Sequence, residues 1–175
     1  YRVDLDPGDA GSVRVHVDPL RFPAEPPSTR VVEAESLWPP LEQQAGWALP
    51  AYASGTCASA SRWLALRPAS STEPALVKIE VPVEGARGRW LAPRVALGPG
   101  AAGALALWID GVLAHRWPLR PADESTLRCL DLPALRIPAG ARRLALVLER
   151  SPGGDLSVPF ALDRLDFRTA NPVDP

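Results

Sequence analysis

Prolines and glycines interrupt this 175-residue chain so often that no long helix fits between them. Proline (21) and glycine (13) together make up about a fifth of the residues. The nearest helical candidate, AESLWPPLEQQAG, is broken by Pro39-Pro40. Frequent turns between short apolar runs are typical of β-strands joined by tight loops. The pattern therefore predicts an all-β chain with little helix.

Nine short apolar segments have the length and alternation of strands. They span residues 30–37, 61–67, 75–82, 89–97, 103–109, 112–118, 126–131, 143–149 and 158–168. Asp110-Gly111, between ALALWI and VLAHRW, is the strongest hairpin signal in the chain. Eight or nine short strands with turn signals about every 8–12 residues predict a β-sandwich.

The sandwich is predicted for residues 28–170. The alternating stretch YRVDLDPGDAGSVRVHVDPLRF is followed by the proline-rich PAEPPSTR. Residues 1–27 therefore read as a lead-in hairpin and linker, or as the tail of a preceding domain. Residues 171–175 form a short tail. The chain begins at Tyr1 rather than Met, so we expect a processed product or a piece of a longer protein.

The overall charge of the chain argues against binding to polyanions such as nucleic acid or an anionic membrane. The net charge is −1 and the isoelectric point is about 6.2. This balance gives no basis for binding nucleic acid or an anionic membrane surface. No apolar run approaches the roughly 18 residues that a membrane-spanning helix needs. We therefore expect no nucleic-acid partner and no direct membrane insertion of this segment.

Cys57 and Cys129 are the only cysteines. In an oxidising compartment they could form one disulfide, and otherwise they could be two buried apolar residues. The sequence does not show whether they are close together, so both interpretations stay open.

The residues that usually support catalysis do not occur in the required patterns. His16 and His115 lie in alternating segments without a nucleophile motif nearby. The cysteines and histidines lack the close spacing of a zinc site. The glycine-rich LGPGAAG is followed by a strand, whereas phosphate-binding loops lead into helices. We expect no catalysis by this chain.

Two glutamates stand two residues apart in RVVEAESL. In a strand, Glu33 and Glu35 would share one face and repel each other unless a proton, an arginine, a metal ion or water lies between them. Calcium takes six to eight oxygen ligands, and Asp163 in FALDRLDF could supply a third carboxylate. The alternative is solvated carboxylates paired with Arg30 or Arg164.

The order of six motifs resembles the family 6 and family 35 carbohydrate-binding modules and their galactose-binding-like relatives. The motifs are the Glu-x-Glu of VVEAESL, the Ser-Gly segment ASGTCAS, and the strand GRWLAP, followed by LWIDGVL, PAGARRLALVL and FALDRLDF. The resemblance covers about residues 30–168. It implies a jelly-roll β-sandwich and a structural calcium ion bound by Glu33, Glu35 and Asp163. It also implies an extracytoplasmic protein, either secreted, periplasmic or at the cell surface.

This chain lacks two of the residues that form the sugar site in these families. Family members with a cleft at the loop end stack a sugar between two aromatic side chains and fix it with a late asparagine. This chain has Leu127 where one aromatic is expected, and SPGGDLSVPF contains no asparagine. We therefore predict glycan binding through the loop aromatics Trp38, Trp47 and Tyr52.

The tryptophans divide into two predicted groups. Those with apolar, alternating neighbours are expected in the core, and those in or beside proline-rich loops are expected to be exposed. The first group is Trp63, Trp90 and Trp108, and the second is Trp38, Trp47 and Trp117. A second interpretation is that Trp38 and Trp47 plug one end of the sandwich.

Two functions of different class follow. The first is a non-catalytic carbohydrate-binding domain of an extracytoplasmic protein. The second is a structural or interaction sandwich that has lost its sugar site and binds a neighbouring protein domain in a cell-surface or secreted assembly. Fold alone does not decide between them.

Overall fold

The computed structural model describes residues 29–52, 62–120, 126–153 and 155–170. These residues form twelve strands and one short 3₁₀ helix, Ala34–Leu37. The strands are β1 (Arg30–Glu33), β2 (Glu42–Gln44), β3 (Gly46–Tyr52), β4 (Arg62–Pro68), β5 (Ala75–Val81), β6 (Trp90–Leu97), β7 (Gly103–Ile109), β8 (Val112–Leu119), β9 (Arg128–Asp131), β10 (Leu135–Arg136), β11 (Leu144–Arg150) and β12 (Phe160–Arg168).

The strands pair antiparallel in two sheets. The first sheet has the order β10-β6-β12-β4-β3, with β1 paired to β12 and β9 paired to β6. The second sheet has the order β2-β5-β11-β7-β8. Within the described ranges, each of the nine predicted strand segments overlaps one observed strand.

The two sheets share one hydrophobic core. Alternate residues of the central strands point inward, as the period of two requires. From the first sheet they include Leu64, Leu162 and Phe167, and from the second Ile79 and Leu146. The predicted all-β sandwich is therefore confirmed. A smaller apolar cluster around Trp63 lies on the opposite face of the first sheet.

The Asp110-Gly111 turn confirms the predicted hairpin. β7 and β8 pair antiparallel, with Ile109 opposite Val112. Asp110 has φ 52° and Gly111 has φ 82°. Two consecutive residues with positive φ are the requirement of the two-residue hairpin turn that Asp-Gly sequences favour. The turn closes one end of the second sheet.

The segment that was predicted as a strand over residues 30–37 changes conformation half-way. β1 ends at Glu33, and Glu35 lies in the 3₁₀ helix that follows. The expectation that Glu33 and Glu35 share one strand face was therefore wrong. Ala34 and Leu37 of this helix are buried, so packing against the core decides where the strand stops.

Strand β3 was not predicted, and Trp47 and Tyr52 lie in it rather than in a loop. Pro50 within ALPAY argues against a central strand, because proline cannot donate to the ladder. The structure satisfies this restriction, since β3 is the edge strand of the first sheet. Residues 1–27 and 171–175 lie outside the described residues, so the predicted lead-in and tail stay predictions.

Candidate functional site

A row of three side chains crosses the outward face of the second sheet. Trp108 of β7, Ala145 of β11 and Glu80 of β5 are neighbours in the strand register. The residues beside them in sequence, such as Leu107 and Ile79, point into the core. Neighbouring strands are about 4.8 Å apart, so Trp108 and Glu80 flank the small Ala145 at a separation of about 10 Å. The row therefore forms a depression in the sheet.

This depression opens into a cavity of about 690 Å³. Its walls come from β5, β7, β11 and the Asp110-Gly111 turn. The lining residues are Leu41, Lys78, Glu80, Trp108, Asp110, Gly111, Arg142, Arg143, Leu144 and Ala145.

A second cavity of about 480 Å³ adjoins the first. It is lined by Ser36, Leu37 and Trp38, by residues 80–84, and by Arg142 and Arg143. Glu80, Arg142 and Arg143 line both cavities. We call the two together the groove: it runs from Trp108 at one end, past Glu80, Arg142 and Arg143, to Trp38 at the other.

Each part of the groove contains one tryptophan. Trp38 follows the 3₁₀ helix and is 53% exposed. Trp108 is half-buried, and its indole Nε1 is enclosed without a hydrogen-bond acceptor among the described residues. An aromatic face beside polar groups suits a ligand that has both apolar C–H surfaces and hydroxyl groups.

Asp110 fixes the backbone of the arginine pair at the middle of the groove. The backbone N–H groups of Arg142 and Arg143 donate to Oδ1 of Asp110 at 2.9 and 2.8 Å. The Asp110 N–H donates in return to the Arg143 carbonyl at 3.0 Å. The hairpin turn and the start of β11 are thus joined by three hydrogen bonds, which hold both arginines at the wall.

The predicted metal ligands lie on three different local structures. Glu33 ends β1 opposite Arg164 of β12. Glu35 lies in the 3₁₀ helix, and its Oε2 is enclosed without a hydrogen-bond partner among the described residues. Asp163 is fully buried at the point where the pairing of β12 with β6 shifts register.

The cation that the structure places beside Asp163 is an arginine. Arg94 Nε lies 3.7 Å from Asp163 Oδ2 and 3.7 Å from Asp131 Oδ1. In the described part of the chain, no group of three or more histidine, cysteine, aspartate or glutamate side chains is arranged to hold a metal ion. Glu33, Glu35 and Asp163 are therefore not such a group in this structure, and calcium binding by them stays a prediction.

The structure separates the three predicted sugar-binding aromatics. Trp38 lies in the groove, whereas Trp47 and Tyr52 lie on β3 in the other sheet, 48% and 77% exposed. Tyr52 is engaged by Arg62, which donates to its hydroxyl at 2.7 Å and stacks over its ring at 4.6 Å. Trp47 and Tyr52 are five positions apart in the strand, about 17 Å along the chain. The three do not line one common surface.

The predicted exposure of the remaining tryptophans was partly wrong. Trp63 is buried as expected, but Trp90 and Trp108 are only half-buried. Trp117 lies within β8 and is 3% exposed, with its Nε1 donating to the Pro133 carbonyl at 3.0 Å. A tryptophan beside proline thus packs into the core because β8 continues past it.

Cys129 is disulfide-bonded. Cys57, the other cysteine of the chain, lies outside the described residues, so the pairing of Cys57 with Cys129 stays a prediction.

Sequence reasoning did not identify Trp108, Arg142 and Arg143 as candidate site residues. The strand positions were predicted, but the row of Trp108, Ala145 and Glu80 exists only through the register of three strands. The one signal in the sequence was the Asp-Gly turn, which identifies the end of the sheet where Arg142 and Arg143 meet Asp110.

No protein-family model and no curated protein matches this sequence.

Solved structures with a similar fold include carbohydrate-binding modules. A carbohydrate-binding module of lichenase 5A from Cellvibrio mixtus, in complex with cellotriose, has 10% identity and a TM-score of 0.48, over 81% of this chain and 97% of that one. A family 29 module from Piromyces equi has 10% identity and a TM-score of 0.47, over 85% and 94%. The module of lichenase 5A is a family 6 module.

An exo-β-1,3-galactanase from Phanerochaete chrysosporium is also similar, with 14% identity and a TM-score of 0.46. The match covers 80% of this chain but only 29% of the galactanase.

No helix in the described ranges is long and apolar enough to cross a membrane.

Proposed function

We propose that this chain is a carbohydrate-binding domain whose ligand lies in the groove between Trp108 and Trp38. The observation that carries the proposal is the groove itself: two adjoining cavities, each with one tryptophan, joined at Glu80, Arg142 and Arg143. Sugars present apolar C–H faces and a rim of hydroxyl groups. Aromatic rings bind the faces, and charged side chains hydrogen-bond the hydroxyls.

The proposal replaces two of the three predicted binding residues. Trp38 keeps its role, whereas Trp47 and Tyr52 lie on β3 of the other sheet. Trp108 takes the place of the second aromatic platform. Its place in the lining of the first cavity supports the assignment.

A glycan array with four proteins tests the proposal. We expect the wild type to bind at least one glycan, and Trp108→Ala and Trp38→Ala to weaken that binding about fivefold, since one stacking contact contributes about 1 kcal/mol. Trp47→Ala is the matched control, with similar exposure on the other sheet, and should bind as the wild type does. Weakening by Trp47→Ala alone would instead support the original loop-aromatic hypothesis.

The proposed role is binding without turnover by this chain. Release of sugars from a bound polysaccharide by the purified protein, abolished by a single substitution, would contradict it. An empty array together with concentration-dependent self-association would favour the structural or interaction role instead.

An extracytoplasmic location is part of the proposal. The disulfide bond of Cys129 supports it, because disulfides persist mainly in oxidising compartments. Immunodetection in secreted, periplasmic and cytoplasmic fractions of the source cells tests it, and recovery only from the cytoplasm would contradict it.

A further inference from the structure

We propose that the groove selects a glycan with an anionic sugar unit, a carboxylate or a sulfate ester, held between Arg142 and Arg143. This inference rests on the proposed carbohydrate-binding function and specifies the class of its ligand. It depends on where the two guanidinium groups lie and on what surrounds them.

The two arginines lie where the two cavities adjoin. Both line the first cavity and both line the second, so both residues belong to the wall at the centre of the groove. Both are exposed, and their backbones are fixed by Asp110. Like charges on two adjacent residues repel each other, and an anion bound near them relieves that repulsion.

Neither arginine forms an ion pair with a carboxylate among the described residues. Among residues 29–52, 62–120, 126–153 and 155–170, no ion pair joins the guanidinium of Arg142 or Arg143 to an acidic side chain. Other arginines of this fold do have such partners. They are Arg94 with Asp131 and Asp163, Arg116 with Glu149, and Arg164 and Arg168 with Asp166.

The charged side chains that line both cavities are Arg142, Arg143 and Glu80, which sum to one positive charge, whereas Lys78, Asp110 and Glu84 each line one cavity. Asp110 Oδ1 is already engaged by two backbone N–H groups. Glu80 is the acidic side chain that lines both cavities alongside the two arginines. Lys78 in the first cavity lies 3.9 Å from Glu42, and Glu84 lines only the second cavity. The groove as a whole is neutral, with three basic and three acidic side chains, so a ligand with one anionic group matches the residues shared by the two cavities.

Guanidinium groups suit this ligand chemistry. Their planar donors match the two oxygens of a carboxylate, and they match the oxygens of a sulfate group equally well. The tryptophan at each end would contact the apolar faces of the neighbouring sugar units. The anionic group would then fix the register of the chain between Trp108 and Trp38.

Calorimetric titration with four polymers tests the inference. The probes are polygalacturonate, dextran sulfate, unsubstituted β-1,4-xylan and poly-L-glutamate, each in a salt series. The proteins are the wild type, Arg142→Gln, Arg143→Gln and Trp108→Ala. Arg136→Gln is the control because Arg136 is an exposed arginine on β10 of the other sheet, and its loss changes the net charge equally.

We expect polygalacturonate or dextran sulfate to bind, and the polymer that binds shows whether the anion is carboxylate or sulfate. Arg142→Gln and Arg143→Gln should each lower the affinity about tenfold, as expected for the loss of a charged hydrogen bond. Arg136→Gln should leave it unchanged, and Trp108→Ala should weaken it.

Three results would overturn the inference. Binding of xylan with wild-type strength in Arg142→Gln and Arg143→Gln, but not in Trp108→Ala, would refute the anionic ligand and leave the proposed function standing. Binding of poly-L-glutamate as tight as that of polygalacturonate, unaffected by Trp108→Ala, would indicate general charge attraction and refute both. Absence of binding to every glycan would also refute both.

Discussion

Arg150 is the most buried charged side chain that donates hydrogen bonds inside this fold. It ends β11 and is 2% exposed. Its guanidinium donates to the carbonyls of Val158 at 3.1 Å and Asp155 at 2.7 Å, and it lies 5.9 Å from the centre of the Phe160 ring. Burial lowers the pKa of Arg150, with a further contribution from nearby Arg67. The side chain fastens the segment before β12 to the end of β11.

Replacing Arg150 by Met should therefore destabilise the protein by about 3 kcal/mol, because two carbonyls lose their donor while the apolar part of the side chain is kept. Chemical denaturation measures the change. Arg136→Met, on an exposed position of β10, is the control and should change stability by less than about 0.5 kcal/mol. Equal stabilities of the two variants would contradict a role for Arg150 in fastening this segment.

At the scale of strands, the pairing of β7 with β11 in the second sheet leaves no room for a side chain at the start of β7. Gly103 pairs with Arg150 of β11. A Cβ atom at Gly103 would overlap the carbonyl oxygen of Glu149 and lie 2.7 Å from Cζ of Phe160. The glycine is therefore required by the close approach of β7, β11 and β12.

Gly103→Ala should cost about 2 kcal/mol or more, since overpacking forces the strands apart. Gly140→Ala is the matched control: nothing lies within 4 Å of its added Cβ, and its φ is not in the left-handed region. Thermal unfolding of both variants measures the difference. A Gly103→Ala protein as stable as Gly140→Ala would show that the strands can shift at little cost.

At the scale of the whole molecule, two sequence predictions link distant parts of the chain, namely a calcium ion and a disulfide. Calcium at Glu33, Glu35 and Asp163 would join the start of the sandwich to its last strand. The structure places Arg94 beside Asp163. The two cations are therefore alternatives for neutralising this buried carboxylate.

A thermal melt with calcium and with chelator at equal ionic strength distinguishes them. A bound ion at a hundredfold excess over its Kd would stabilise the protein by about 2.7 kcal/mol. Coincident curves would contradict the calcium prediction and leave Arg94 as the cation beside Asp163.

The predicted Cys57–Cys129 disulfide closes a loop of about 70 residues. Such a loop should contribute about 4 kcal/mol in the chain-entropy model. We expect a reductant to lower the melting temperature of the wild type. The Cys57→Ser variant should melt at a lower temperature than the wild type, and reductant should not change its melting temperature. Peptide mapping without reduction checks the pairing directly, and a map in which Cys57 and Cys129 are both free would contradict it.

The sequence alone determined the class of fold and the places of most strands. Alternating apolar residues, turn signals and the Asp110-Gly111 hairpin are local features, so they can be read without knowing which strands are neighbours. The order of motifs likewise depends only on the chain. Local patterns failed where packing decided the conformation, at Glu35 in the 3₁₀ helix and at Pro50 in edge strand β3.

Only the tertiary structure decided the candidate site. Trp108, Ala145 and Glu80 are far apart in sequence and become neighbours through the register of β7, β11 and β5. Trp47 and Trp38 are close in sequence, but Trp47 lies on edge strand β3 and Trp38 follows the 3₁₀ helix and lines the groove. A groove that crosses several strands is lined by residues that are far apart in the sequence. Its composition depends on strand order and register, which a short stretch of sequence does not encode.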